Sequence, residues 1–168
     1  MIQGVANTSA VVVGLGEYHV TKDPSLQLVC LGIGSCIAFA AYDRLSGVAG
    51  LAHFVLPEGA GRTTAANETR FIDTGVPFVL EALRSAGAIQ SRTVFKIAGG
   101  SQMTVARGFE SKLNIGERNA EAIEQAMSLT RFTISSTDVG GSQGRTVRLD
   151  VATGKILVSK VGGAPYEL

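Results

Sequence analysis

Gly32-Ile33-Gly34-Ser35-Cys36 delivers a thiol to the start of an apolar run, Ile37-Ala38-Phe39. A second apolar run, Gly50-Leu51-Ala52-His53-Phe54, carries one of only two histidines in the chain. A cysteine becomes a nucleophile when substrate can reach its sulfur and a base can take its proton. Gly32, Gly34 and Ser35 leave little bulk beside Cys36, so a substrate backbone can approach closely. His53 is the candidate base. A buried core cysteine fits the same residues, and locally both readings stay open.

Other candidate chemistries are weaker. The two cysteines and two histidines lack any Cys-x-x-Cys or His-x-x-x-His pair, which argues against zinc. Gly99-Gly100 is followed by neither a Lys-Ser/Thr pair nor Gly-x-Gly-x-x-Gly spacing, so it reads as a tight turn and not a phosphate loop. His19, in an extended segment well before the thiol, reads as a surface or structural residue. Asp138, just ahead of Gly140-Gly141, reads as turn chemistry. Arg145 fits either a structural ion pair or a groove residue.

The elements that must position these groups follow from periodicity. Apolar, β-branched runs predict strands over 11–15, 26–31, 37–42, 48–56, 93–97 and 132–136, with an extended segment at 17–20. Residues 145–151 and 155–160 alternate around Ala152-Thr153-Gly154 and predict a hairpin. Apolar residues at helical spacing predict helices over 70–85, with Pro77 as its start or a bend, and over 117–129. Residues 58–67 lack periodicity and read as a surface loop, a connection or a lid on the site. Strands and helices without regular alternation predict an α+β domain on mixed or antiparallel sheets, one domain spanning residues 1–168.

Composition narrows the function classes. Fifteen basic against 14 acidic residues give a net charge of +1, which removes the electrostatic case for nucleic acid or an anionic membrane. No run of 18 apolar residues predicts a membrane span, and residues 1–10 lack the features of a signal peptide. Cys30 and Cys36 cannot form a disulfide framework for a chain this long, so free thiols and a cytoplasmic location are expected.

Several blocks, in order, resemble the CheD family of chemoreceptor glutamine deamidases. They are Gly14-Leu15-Gly16-Glu17-Tyr18, Leu31 to Cys36, and Gly47-Val48-Ala49-Gly50-Leu51-Ala52-His53 with Leu56-Pro57. Further on come Lys96 to Met103, Asn114-Ile115-Gly116-Glu117-Arg118-Asn119, Asp138-Val139-Gly140-Gly141 with Arg145, and Gly154-Lys155 through Gly163. The resemblance implies a layered α/β/β/α fold shared with deamidating toxins, two main helices, and conversion of chemoreceptor glutamines to glutamate through a cysteine thioester, without metal or organic cofactor. It implies Cys36 as nucleophile and His53 as base. The family's third catalytic position, usually threonine, is Cys30 here, and a thiol accepts hydrogen bonds weakly. Gly34, Ser35, Gly99, Gly100 and Ser101 are the implied substrate contacts. Receptor cytoplasmic domains, and a CheC-type phosphatase, are the implied partners. A weakly catalytic adaptor of the same fold is the alternative that Cys30 suggests.

Overall fold

Two five-stranded sheets face each other in the computed structural model, which describes residues 8–103 and 114–168. Residues 1–7 of the N-terminal stretch lie outside the described residues. The first sheet has the order β1 (Ser9–Val12), β3 (Leu26–Ile33), β8 (Arg145–Asp150), β9 (Ile156–Lys160), β10 (Tyr166–Glu167). The second has the order β2 (Tyr18–Thr21), β5 (Val48–Phe54), β4 (Ile37–Asp43), β6 (Val94–Gly99), β7 (Ile134–Val139). Each sheet is antiparallel except for one parallel pair, β1 with β3 and β6 with β7. The expected α+β class with mixed sheets and two helices is what the structure shows.

Both helices, α1 (Ile72–Ser85) and α2 (Ile115–Ser128), pack on the second sheet. Among the described residues the layers therefore run helix, sheet, sheet. No helix among them covers the outer face of the first sheet. Alternation along β4 explains the sandwich. Ile37, Phe39 and Ala41 join the cluster beneath the helices, while Ala38 and Ala40 join the cluster between the sheets. Phe39 lies between Phe54 and Phe95, with ring centroids 5.7 and 5.5 Å away. Its complete burial contributes roughly 1.5–3 kcal/mol.

Some boundaries move for physical reasons. The first helix begins before Pro77 and runs through it, after a short 3-10 turn at Glu68–Arg70. Asn114 caps α2 by accepting from the Glu117 N–H at 3.1 Å, so that helix starts at Ile115. Asp138 is not in a turn. It lies in β7 opposite Ala98, and its carboxylate meets the guanidinium of Arg145 at 2.9 and 3.0 Å. Arg145 is thus an ion-pair residue, 3% exposed, joining β8 of one sheet to β7 of the other. Lys160 and Tyr166 also reach Asp138.

The chain changes sheets three times at one end of the sandwich: at residues 13–17 between β1 and β2, at 34–36 between β3 and β4, and at 140–144 between β7 and β8. Cys36 lies in the second of these crossings. His53 lies near the end of β5, beside the first.

Hydrogen bonds, chiefly from Arg145, hold the Asp138 carboxyl well below its ordinary value of 3.8. A depressed carboxyl stabilises the fold above the unfolded-state value and loses that contribution as pH falls toward the folded-state value. Asp138→Ala leaves Arg145 buried without its counter-charge, which costs roughly 3–5 kcal/mol near neutral pH. In urea titrations the gap between wild type and Asp138→Ala should narrow steadily below pH 3.8. A gap that stays constant across that range would contradict the linkage.

Candidate active site

Register places Cys36 and His53 on one face. Ala38 lies directly opposite His53 in the β4–β5 ladder, and Ile37 lies opposite Phe54. Cys36, two residues before Ala38, projects to the same side as Ala38 and is the diagonal neighbour of His53. Diagonal pairs of this kind are about 7–8 Å apart at Cα, within reach of long side chains. Both groups face the other sheet. Cys36 is half-buried and packs against the inter-sheet cluster, while His53 is buried.

The backbone around Cys36 is held at three consecutive carbonyls. Gly34 accepts from Ser101 N–H at 2.8 Å, Ser35 from the Asn119 side-chain amide at 2.7 Å, and Cys36 from Gly100 N–H at 2.8 Å. This is where the Gly-rich block after β6 is used. A Cβ on Gly99, whose φ is 131°, would fall 2.1 Å from the Cys36 carbonyl oxygen. One on Gly116, in the first turn of α2, would fall 2.4 Å from the Ser101 carbonyl oxygen. Ser101, fully buried, donates to the Gln143 carbonyl at 2.8 Å and accepts from Arg145. Gly34, Gly99, Gly100 and Ser101, expected as substrate contacts, are buried and belong to the network that holds the turn carrying Cys36. Of that set, Ser35 alone is half-exposed.

His53 is oriented by a backbone group. Its Nδ1 lies 3.3 Å from the Val13 carbonyl oxygen, in the first crossing segment. A carbonyl only accepts, so Nδ1 carries the proton and Nε2 presents its lone pair. Nε2 is buried and has no hydrogen-bond partner among the described residues. The main chain of His53 is also fixed there, donating to Glu17 O at 3.0 Å and accepting from Gly16 N–H at 2.9 Å. Val13 thus fills the acceptor role expected of Cys30. Cys30 is fully buried in the inter-sheet cluster, opposite Val147 on β8. His19, on β2, pairs with Leu51 of β5, and β2 lies farther from Cys36 than β5 does.

Desolvation sets the resting protonation. Burial pushes the Cys36 thiol above its ordinary value, against the opposing pull of Arg70 and of its own backbone N–H. Burial lowers His53, against the Val13 carbonyl and the nearby Glu17 carboxylate. Both directions favour a neutral thiol beside a neutral imidazole. Burial, and then the neighbouring Cys36, raise Cys30 further still. The arrangement can therefore move one proton from sulfur to Nε2 at the moment of attack.

Three contributors escaped the sequence reading. Val13 acts through its carbonyl, which no residue type signals. Arg70 is brought near Cys36 because Thr69 donates to Gly16 O at 2.6 Å, a contact 53 residues away in sequence. Asn119 left one detectable mark. It is a polar residue on the apolar stripe of α2, beside Ala120 and Ile123, and it is fully buried.

Comparison with known proteins gives a consistent result. A family model described as CheD chemotactic sensory transduction matches residues 55–160. The chain is 41% identical over 157 residues to a probable chemoreceptor glutamine deamidase CheD of Symbiobacterium thermophilum, covering 93% of this chain and 95% of that one. It is 40% identical over 153 residues to the chemoreceptor glutamine deamidase CheD of Thermotoga maritima, covering 90% and 92%. The family match begins two residues past His53, whereas the match at 93% coverage spans Cys36 and His53 as well. Among solved structures, a hypothetical protein YfiH of Bacillus licheniformis aligns with 83% of this chain and 61% of its own, at a TM-score of 0.39 and 12% identity.

Two results should follow from this geometry. Cys30→Val keeps the core shape and leaves the Val13 bond untouched, so Cys36 reactivity should change by no more than about twofold. Alkylation of Cys36 should keep rising with pH past the ordinary thiol value of 9.0. An inflection below 6.5, the ordinary value for His53, would instead indicate a preformed thiolate–imidazolium pair.

Proposed function

Because the chain belongs to the CheD family, we propose that it deamidates selected glutamine side chains in the cytoplasmic domains of chemoreceptors, with Cys36 as nucleophile and His53 as base. The observation that carries this reading is the uncapped Nε2 of His53, on the face shared with Cys36 while Val13 holds the other nitrogen.

The steps follow from the groups. As the Cys36 sulfur attacks the glutamine carbonyl carbon, Nε2 takes its proton, and negative charge develops on the amide oxygen. The Cys36 N–H is the donor at hand for that oxygen. His53, now protonated, delivers the proton to the departing nitrogen, and ammonia leaves a thioester. Water then gives a proton to Nε2 and attacks the thioester carbon. The proton returns to sulfur as glutamate departs. Protein groups carry every proton in this scheme.

Cys30 is the one feature that favours an adaptor without strong activity. With the Val13 carbonyl on the imidazole, that motive weakens. Engagement of a CheC-type phosphatase is compatible with an active site and remains a partner proposal. A cytoplasmic location matches the proposed substrate, and no helix among the described residues is long and apolar enough to cross a membrane.

The test is incubation with a purified receptor cytoplasmic fragment, followed by peptide mass spectrometry for amide-to-acid conversion. Cys36→Ala should abolish conversion while leaving the thermal transition in place. His53→Ala should slow it by roughly 10²–10⁴-fold, the range for a lost general base. His19→Ala should turn over normally. Conversion that survives in Cys36→Ala would overturn the assignment.

A further inference from the structure

The β4–β5 ladder ends at the pair Ile37 and Phe54. One step beyond it, where Cys36 and Val55 would form the next pair, the two strands are joined by a side chain instead. The Asn119 Nδ2 group donates to Ser35 O at 2.7 Å and to Val55 O at 2.9 Å, with both of its hydrogens used. Asn119 is fully buried, and its Oδ1 has no partner among the described residues. A buried amide with an unsatisfied acceptor is costly, and an apolar residue would fill the same space without that cost. The chain carries the cost for the two donors.

What those donors control follows from peptide geometry. In a planar trans peptide the C=O and the next N–H point in opposite directions. Asn119 draws the Ser35 carbonyl toward α2, so the Cys36 N–H of the same peptide is turned away from the helix. Donation to the carbonyl also polarises the peptide and makes its N–H a better donor. Gly34 O and Cys36 O, on either side, are held by Ser101 and Gly100, so the peptide has little freedom to rotate back.

We infer that Asn119 is a positioning residue for the reaction, its side-chain amide setting the Ser35–Cys36 peptide so that the Cys36 N–H receives the developing oxyanion. This rests on the proposal that Cys36 is the nucleophile. Asn119 touches neither sulfur nor substrate. It acts through the peptide it holds, and through Val55 it ties that peptide to the strand carrying His53.

The experiment compares wild type, Asn119→Ala and Ile123→Ala. Ile123 is the next buried residue on the same helix face, fully enclosed in the cluster beneath the sheet, and its truncation controls for lost stability alone. Deamidation of the receptor fragment should show kcat lower by roughly 10–100-fold in Asn119→Ala, with KM within about threefold, because the missing interaction matters only as charge develops. Iodoacetamide alkylation of Cys36 at a fixed mildly alkaline pH should slow in the same variant, since the N–H that steadies the thiolate is no longer aimed. Ile123→Ala should keep wild-type kcat and alkylation rate. Should Asn119→Ala fail to fold, Asn119→Ser, which keeps one donor, is read in the same way. Wild-type kcat and alkylation in a folded Asn119 variant would overturn the inference. So would equal losses in Ile123→Ala, which would reduce Asn119 to a stabilising residue. Alkylation needs no receptor. Slowed alkylation in Asn119→Ala, together with a wild-type enzyme that leaves every receptor glutamine unchanged, would overturn the functional proposal and leave the positioning role standing.

Discussion

The site depends on the carbonyls of Gly34, Ser35 and Cys36, three backbone acceptors that leave one sheet before the next has begun. A strand that switches sheets gives up its ladder partners, and buried carbonyls without partners are costly. Here the partners come from elsewhere in sequence: Ser101 N–H, the Asn119 amide and Gly100 N–H. The segment carrying the thiol is therefore fixed by groups on the turn after β6 and on α2. The glycines at 99 and 116 follow from this constraint, because a side chain at either would occupy the space of a carbonyl oxygen.

The other two crossings converge on the same end. The residue 13–17 crossing supplies the Val13 carbonyl to His53 and binds its main chain at Gly16 and Glu17. The residue 140–144 crossing is held by Arg145, which reaches Asp138, Gly140 O and Ser101 from the first sheet. Ser101 in turn supports Gly34. A buried ion pair is weak support for stability against an apolar alternative. Its geometric effect here is specific, since it ties β7, β8 and the turn behind Cys36 to one guanidinium.

Burial gives the site its character and sets its chemistry. The low-dielectric space between the sheets disfavours charge on both Cys36 and His53, which favours a neutral thiol and a neutral imidazole. Arg70 and Glu17 bias the two groups in the direction of their charged forms, at a distance and from exposed positions. Neither overcomes desolvation.

Much of this was legible in the chain itself. Alternation and helical spacing locate both helices and every strand but the two-residue β10, and small residues before Cys36 with a histidine on a neighbouring apolar run single out the thiol and imidazole that the β4–β5 register brings to one face. Those signals are local and depend on residue type. Asp138 reads as a turn residue because a strand ending in Asp-Val-Gly-Gly looks like one, and only the fold brings Arg145, on the other sheet, to neutralise it. The Gly99-Gly100-Ser101 block reads as a ligand contact in sequence, and composition cannot show that its backbone also holds the Gly34 and Cys36 carbonyls. Residue type points to Cys30 as the acceptor for the imidazole, whereas the carbonyl beside Nδ1 belongs to Val13, and a carbonyl leaves no trace in residue identity. By itself the sequence determined the periodicities, the thiol and the imidazole. Tertiary structure alone decided which backbone groups orient them, because those contacts join segments far apart in the chain through atoms that every residue shares.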